Sequence, residues 1–163
     1  MKIGLIGYGA WGSYHARSIT AADNGELVAI ACKSEATEAR ARRDYPDLEV
    51  YRDYRELLAR RDIEAAVIVL PSHLHAEVAV AALKSGKHVL LEKPMALNAQ
   101  ECDRIIEAAE RNGKQVSIGH EFRVSEQWAA VKDAIEVGAI GRPLCGHVSM
   151  FRMPYRQGAD NWR

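Results

Sequence analysis

Six short apolar runs alternate with longer stretches of helical period across the first 119 residues, and this alternation limits the fold more tightly than any other feature of the chain. The runs are Lys2 to Ile6, Leu27 to Ala31, Glu49 to Tyr51, Ala65 to Leu70, His88 to Leu91 and Gln115 to Ile118. Most are apolar at consecutive positions rather than alternate ones, as in strands covered on both faces. The helical patterns between them fall at about Gly12 to Ala22, Ala36 to Asp44, Asp53 to Arg60, His75 to Ser85 and Asn98 to Asn112. Gly86 and Gly113 stand where C-caps of the last two belong. Strands joined by helical crossovers pair in parallel, so the expected class is α/β, a doubly wound parallel sheet of the Rossmann type over residues 1–119.

The first strand runs directly into Gly7-Tyr8-Gly9-Ala10-Trp11-Gly12, a G-x-G-x-x-G that opens the first helix. In that setting the first glycine permits a tight turn, the second lets backbone approach a pyrophosphate, and the third allows close packing of helix on sheet. Backbone N–H groups at the helix N-terminus then face the anion. Residues Gly7, Tyr8, Gly9, Ala10, Trp11 and Gly12 are therefore taken as the coenzyme loop, with Tyr8 and Trp11 read as packing or lid side chains. About 20 residues further on, an Asp or Glu at the end of the second strand would accept hydrogen bonds from an adenosine ribose. This chain has Cys32-Lys33-Ser34 there, with no carboxylate before Glu35. A lysine and a hydroxyl suit a 2′-phosphate that an acid would repel, so NADP is expected to be favoured over NAD.

Ligands on such sheets gather at the carboxyl ends of the strands. The fourth strand ends in Leu70-Pro71-Ser72-His73-Leu74-His75, and the fifth lies in Gly86-Lys87-His88-Val89-Leu90-Leu91-Glu92-Lys93-Pro94. This pairing, with the Gly138-Ala139-Ile140-Gly141-Arg142-Pro143 turn and the terminal Trp162-Arg163, resembles the Gfo/Idh/MocA oxidoreductase family along the whole chain. The resemblance implies an NAD(P)-dependent dehydrogenase or reductase. Hydride would pass between nicotinamide and a hydroxyl or carbonyl carbon of a sugar, polyol or similar small molecule. It also implies site roles: Lys93 between nicotinamide and substrate, Glu92 on the nicotinamide ribose, and Leu70, Pro71 and His75 on the cofactor side. His120 stands at the crossover as a candidate acid or base, Arg123 after it as a cofactor contact, and Trp162 with Arg163 as a pair beside the cofactor. His73 is read as a loop residue, and His15, His88 and His147 as structural or surface residues. Family members continue with a second domain that carries a further proton-transfer pair, so the chain reads as a member that stops partway into that domain. A dinucleotide-binding module without turnover is the competing expectation. A methyltransferase on a similar sheet would leave Glu92-Lys93-Pro94 without a task.

After Gly119 the alternation stops. A helix at Gln127 to Val137 and a strand at Leu144 to Arg152 are expected as the first elements of an incomplete α+β domain over residues 120–163. One helix and one strand cannot enclose a core. The unpaired strand edge would invite homo-oligomerisation through the second-domain sheet. The charge is balanced, 22 Lys and Arg against 22 Asp and Glu, which argues against nucleic acid or an anionic membrane as partner. No apolar run approaches the roughly 18 to 20 residues of a membrane helix. The N-terminus has no secretory signal pattern, and Cys32, Cys102 and Cys145 form no C-x-x-C pair. A cytoplasmic location and no metal site are the corresponding expectations.

Overall fold

A computed structural model describes residues 1–151 of the chain. The chain forms two compact units, the first Met1–Gly119 and the second starting at His120. In the first unit the elements are β1 Lys2–Ile6, α1 Ala10–Ala21, β2 Glu26–Ala31, α2 Glu35–Asp44, β3 Glu49–Tyr51 and α3 Tyr54–Ala59. They continue with β4 Ala65–Ile68, α4 His75–Lys84, β5 His88–Leu91, α5 Ala99–Asn112 and β6 Val116–Ile118. The six strands pair in parallel in the order β3-β2-β1-β4-β5-β6. The order reverses beside β1, which opens a crevice at the carboxyl ends of β1 and β4.

Residue alternation along the strands feeds two cores. Leu5, Ile30 and Val67 point to one side of the sheet, where Ala16 and Ile19 of α1 and Ala41 of α2 cover them. Ile6, Ala29, Ala31, Ala66 and Ile68 point to the other, against Leu57 of α3, Val78 and Ala79 of α4 and Ile105 of α5. Burial on both faces is why these strands read as unbroken apolar runs. Helix α5 has strong end signals. The Asn98 side chain accepts from the Glu101 N–H at 2.9 Å, the Glu101 carboxylate accepts from the Leu97 N–H at 3.1 Å, and Gly113 closes the helix at φ +60°.

Several expected element boundaries shift by one or two residues, and one expected strand is not formed among the described residues. Strand β4 ends at Ile68 rather than Leu70. Its neighbour β1 stops at Ile6, where Gly7 turns the chain away, so Val69 makes the last backbone bond, its N–H to the Ile6 oxygen at 2.8 Å. The strand expected at Leu144 to Arg152 is not formed over residues 144–151, and Arg152 lies outside the described residues. A strand needs a neighbour to satisfy its backbone N–H and C=O groups. The second unit contains no other strand among the described residues, only a 3-10 turn at Glu121–Val124 and α6 at Glu126–Glu136. Leu144, Val148, Met150 and Phe151 are accordingly exposed. No helix among the described residues is long and apolar enough to cross a membrane.

Candidate coenzyme and active site

The glycine loop joins β1 to α1 at the carboxyl edge of the sheet. Gly7 adopts φ +101°, and its N–H donates to the Ala31 oxygen at 2.8 Å, tying the loop to β2. A Cβ at Gly7 would lie 2.0 Å from the Val69 carbonyl oxygen, and one at Gly12 only 2.1 Å from the Gly7 oxygen. Gly9 is different, since it is the N-cap of α1 at φ −73° and a Cβ there meets none of the described residues within 4 Å. Among the described residues no side chain caps α1, and its first turn, which Ala10 opens, holds no acid. The first-turn N–H groups and the positive end of the helix dipole are thus left to an external anion.

The two large side chains of the loop diverge. Tyr8 turns inward and is buried. Its hydroxyl donates to Asp44 Oδ2 at 2.9 Å and its ring meets Tyr45 edge-on, so the side chain serves packing rather than standing over the loop. Burial, reinforced by the Asp44 carboxylate, pushes the Tyr8 phenol up to about 12. The folded state therefore favours the neutral phenol. Its contribution is complete below the unfolded value near 10 and is lost as pH rises through about 12. Tyr8→Phe is expected to flatten the fall in stability between pH 10 and 12, leaving a remainder from Tyr51 and Tyr54, whose hydroxyls are also raised. Urea unfolding at pH 9 and at about pH 11 checks this; equal slopes in both proteins would contradict it.

Trp11 stays half exposed and turns toward β5. Its indole Nε1 donates to Glu92 Oε1 at 2.9 Å, and His15 Nε2 lies 2.8 Å from the same oxygen. Glu92 Oε2 accepts from the Lys93 N–H at 3.1 Å. Burial alone would raise the Glu92 carboxyl, but these donors, His15 foremost, outweigh it and hold the group below its ordinary value. Gly119, at the end of β6, approaches closely, since a Cβ there would lie 3.1 Å from Glu92 Oε1. Glu92 is thus an ionised carboxylate clamped between the first helix and the end of β5. The backbone then passes through a cis Lys93–Pro94 bond. His75, buried at the start of α4, bridges the two strand-end loops, with Nδ1 2.6 Å from the Pro94 oxygen and Nε2 2.8 Å from the Leu70 oxygen. Leu70 and Pro71 form the exit from β4, and the Leu70 side chain closes on the position a Gly7 Cβ would take.

At the other end of the crevice, Cys32 is buried, its N–H on the Tyr51 oxygen and its thiol pushed up by burial. Lys33 is exposed, and its carbonyl accepts from Arg52 at 3.2 Å. The Ser34 hydroxyl is engaged as the N-cap of α2, accepting from the Thr37 N–H at 3.2 Å. His120 and Arg123 begin the second unit, where they line an open depression with Phe122 and Trp128. Trp162 and Arg163 lie outside the described residues. Among the described residues, no three His, Cys, Asp or Glu side chains gather as metal ligands would.

The first unit therefore brings Gly7 to Gly12, Cys32 to Ser34, Leu70, Pro71, His75, Glu92 and Lys93 to the carboxyl ends of β1, β2, β4 and β5. Two residues beyond those expected join them. His15 is one turn along α1 from Trp11, a spacing that puts both on one helix face. Arg40, on α2, donates to the Tyr8 carbonyl.

A parallel sheet in this order, with a glycine loop feeding an uncapped helix at its switch point, defines a dinucleotide-binding domain. Residues 1–120 match the sequence model of the Gfo/Idh/MocA oxidoreductase family, described as an NAD-binding Rossmann fold, and the chain belongs to this family. It is 39% identical over 150 residues to an inositol 2-dehydrogenase of Salmonella typhimurium, covering 90% of this chain and 45% of that one. It is 33% identical over 141 residues to an NADP(+) scyllo-inositol 2-dehydrogenase of Bacillus subtilis, covering 86% of this chain and 38% of the relative. The crystal structure of a Lactobacillus casei scyllo-inositol dehydrogenase with bound NAD(H) and scyllo-inositol superposes with a TM-score of 0.81 at 29% identity. That match covers 86% of this chain and 42% of the other. The chain thus spans less than half the length of these relatives.

Proposed function

We propose that this chain is the coenzyme-binding part of an NAD(P)-dependent dehydrogenase whose substrate is a polyol or similar sugar-like molecule. The observation that carries the reading is the meeting, at one edge of the sheet, of the uncapped N-terminus of α1 with the Glu92-Lys93-Pro94 end of β5. The substrate class follows the inositol dehydrogenases that the chain resembles. Bound nicotinamide would supply the hydride chemistry; the protein supplies orientation and charge. The Gly9, Ala10 and Trp11 N–H groups hold the pyrophosphate. Glu92, with Oε1 engaged by Trp11 and His15, offers Oε2 to a ribose hydroxyl. The Lys93 ammonium hydrogen-bonds the reacting oxygen, stabilises negative charge developing there and helps move its proton. His75 acts from behind, fixing the loops that carry Leu70, Pro71 and Lys93. His120 is the candidate second acid or base, and Arg123, Trp162 and Arg163 the candidate contacts from the rest of the chain. Residues 1–119 form the coenzyme domain in this reading, and residues 120–163 start a substrate and oligomerisation domain.

NADP is favoured over NAD because Lys33 is the exposed cation at the end of β2 and no acid stands at Cys32. Ser34 adds less than its position suggests, because its hydroxyl already caps α2. Lys33→Ala is expected to weaken NADP about tenfold relative to NAD, the scale of one charge-assisted contact. Equilibrium titration of both coenzymes checks this, and an unchanged ratio would return Lys33 to the solvated surface. A cytoplasmic setting and the absence of nucleic-acid partners complete the reading, together with homo-oligomerisation through the sheet of the second domain. Light scattering is expected to show species larger than a monomer, and a strict monomer would remove that last element. Turnover itself is tested by following reduced-nicotinamide absorbance with myo- or scyllo-inositol and either coenzyme. Coenzyme binding without any absorbance change would reduce the chain to a binding module.

A further inference from the structure

Arg40 lies in the middle of α2, yet its guanidinium reaches back to the glycine loop. Nη2 donates to the Tyr8 carbonyl oxygen, and the guanidinium carbon stands 5.0 Å from the centroid of the Tyr8 ring. Its Nε is buried and is the single side-chain nitrogen or oxygen in that condition with no hydrogen-bond partner among the described residues. The Tyr8 side chain beneath it is fixed in turn by Asp44 and Tyr45. A cation has therefore been carried to one particular peptide group of the loop and held there by packing.

That peptide group matters because of its other edge. The Tyr8–Gly9 unit is planar and trans, so its C=O and N–H point in opposite directions. With the oxygen held by Arg40, the Gly9 N–H is turned to the far side of the loop. There it makes no backbone hydrogen bond among the described residues, and no side chain caps the helix that begins at Ala10. A guanidinium on the oxygen also polarises the peptide, which makes its N–H a stronger donor.

We infer that Arg40 is a positioning residue for the coenzyme pyrophosphate. It fixes the Tyr8–Gly9 peptide so that the Gly9 N–H is presented to the anion, and it adds positive charge one peptide unit behind it. This rests on the dinucleotide-binding reading above and assigns Arg40 a role distinct from that of Lys33. A residue that contacts a 2′-phosphate separates NADP from NAD. A residue that orients the pyrophosphate donor acts equally on both and leaves adenosine, which has no phosphate, unaffected.

The experiment is calorimetric titration of the chain and of its Arg40→Met and Arg40→Lys variants with NAD, NADP and adenosine. Methionine keeps an apolar stem over Tyr8 and removes the donor, whereas lysine restores a cation able to reach the Tyr8 oxygen. Arg40→Met is expected to weaken NAD and NADP by the same factor, about tenfold, with adenosine within about twofold, and Arg40→Lys to recover part of the loss. Unchanged coenzyme affinities would overturn the inference. So would a loss confined to NADP, which would make Arg40 a 2′-phosphate ligand, or a parallel loss of adenosine that lysine does not relieve, which would make it merely structural. A wild-type chain that binds neither coenzyme would instead bring down the dinucleotide reading itself. Thermal unfolding of each variant establishes that the fold is intact, and Arg40→Lys carries the comparison if Arg40→Met does not fold.

Discussion

Gly7→Ala is expected to destroy the folded state of the first unit, with a destabilisation above about 4 kcal/mol and loss of the cooperative thermal transition. Two costs combine. At φ +101° an L-residue is strained by about 1 to 3 kcal/mol wherever it sits. The new Cβ would also lie 2.0 Å from the Val69 carbonyl oxygen, which is backbone and cannot move aside as a side chain would. Relief requires the loop to withdraw from β4, and that pulls the Gly7 N–H off the Ala31 oxygen, the bond that ties the loop to β2. Gly12→Ala should behave similarly, because its Cβ would meet the Gly7 oxygen at 2.1 Å. A Gly7→Ala chain that unfolds within a few degrees of wild type would show that the loop is not built as described.

Gly9→Ala should separate binding from stability. Its φ of −73° suits any residue and a Cβ meets none of the described residues within 4 Å, so the fold should survive. The cost is limited to the poorer capping of alanine, about 1 kcal/mol. The same methyl group projects from the residue whose backbone must touch a pyrophosphate, where close approach is the reason for glycine. Coenzyme affinity is therefore expected to fall by at least about 100-fold, near 2.7 kcal/mol, for NAD and NADP alike. Calorimetric titration beside a thermal melt reads both quantities in one preparation. Normal coenzyme binding by a stable Gly9→Ala chain would move the pyrophosphate elsewhere.

Much of this was legible in the sequence because it depends on local spacing. The 3.6-residue and unbroken apolar patterns determine helices and two-faced strands, and the glycine spacing determines a loop whose first and third members cannot carry a Cβ. Features that depend on a partner distant in sequence were not legible. Residues 144–151 have strand composition, but strand formation needs a neighbour, and the second unit has none among the described residues. Tyr8 and Trp11 are both aromatic residues of one loop, and only the packed structure sends one to Asp44 and the other to Glu92, 81 positions away in the chain. His15 reads as a structural or surface histidine until the end of β5 is placed beside α1. Arg40 is one of three arginines in α2, and nothing local separates it from Arg42, which pairs with Glu38, or Arg43, which pairs with Asp44. Ser34 shows the reverse effect, since a residue type suited to phosphate is also the preferred helix cap.

The edge formed by Gly7 to Gly12, Lys33 and Glu92-Lys93 is proposed above to hold a nicotinamide dinucleotide. Thermal unfolding of the 163-residue chain over a range of NADP and NAD concentrations tests it most directly. The predicted result is a midpoint that climbs with coenzyme, by about 5 to 10 °C when the ligand reaches roughly 100 times its dissociation constant, with NADP the more protective at equal concentrations. A midpoint that stays flat with both coenzymes up to millimolar concentration would contradict it.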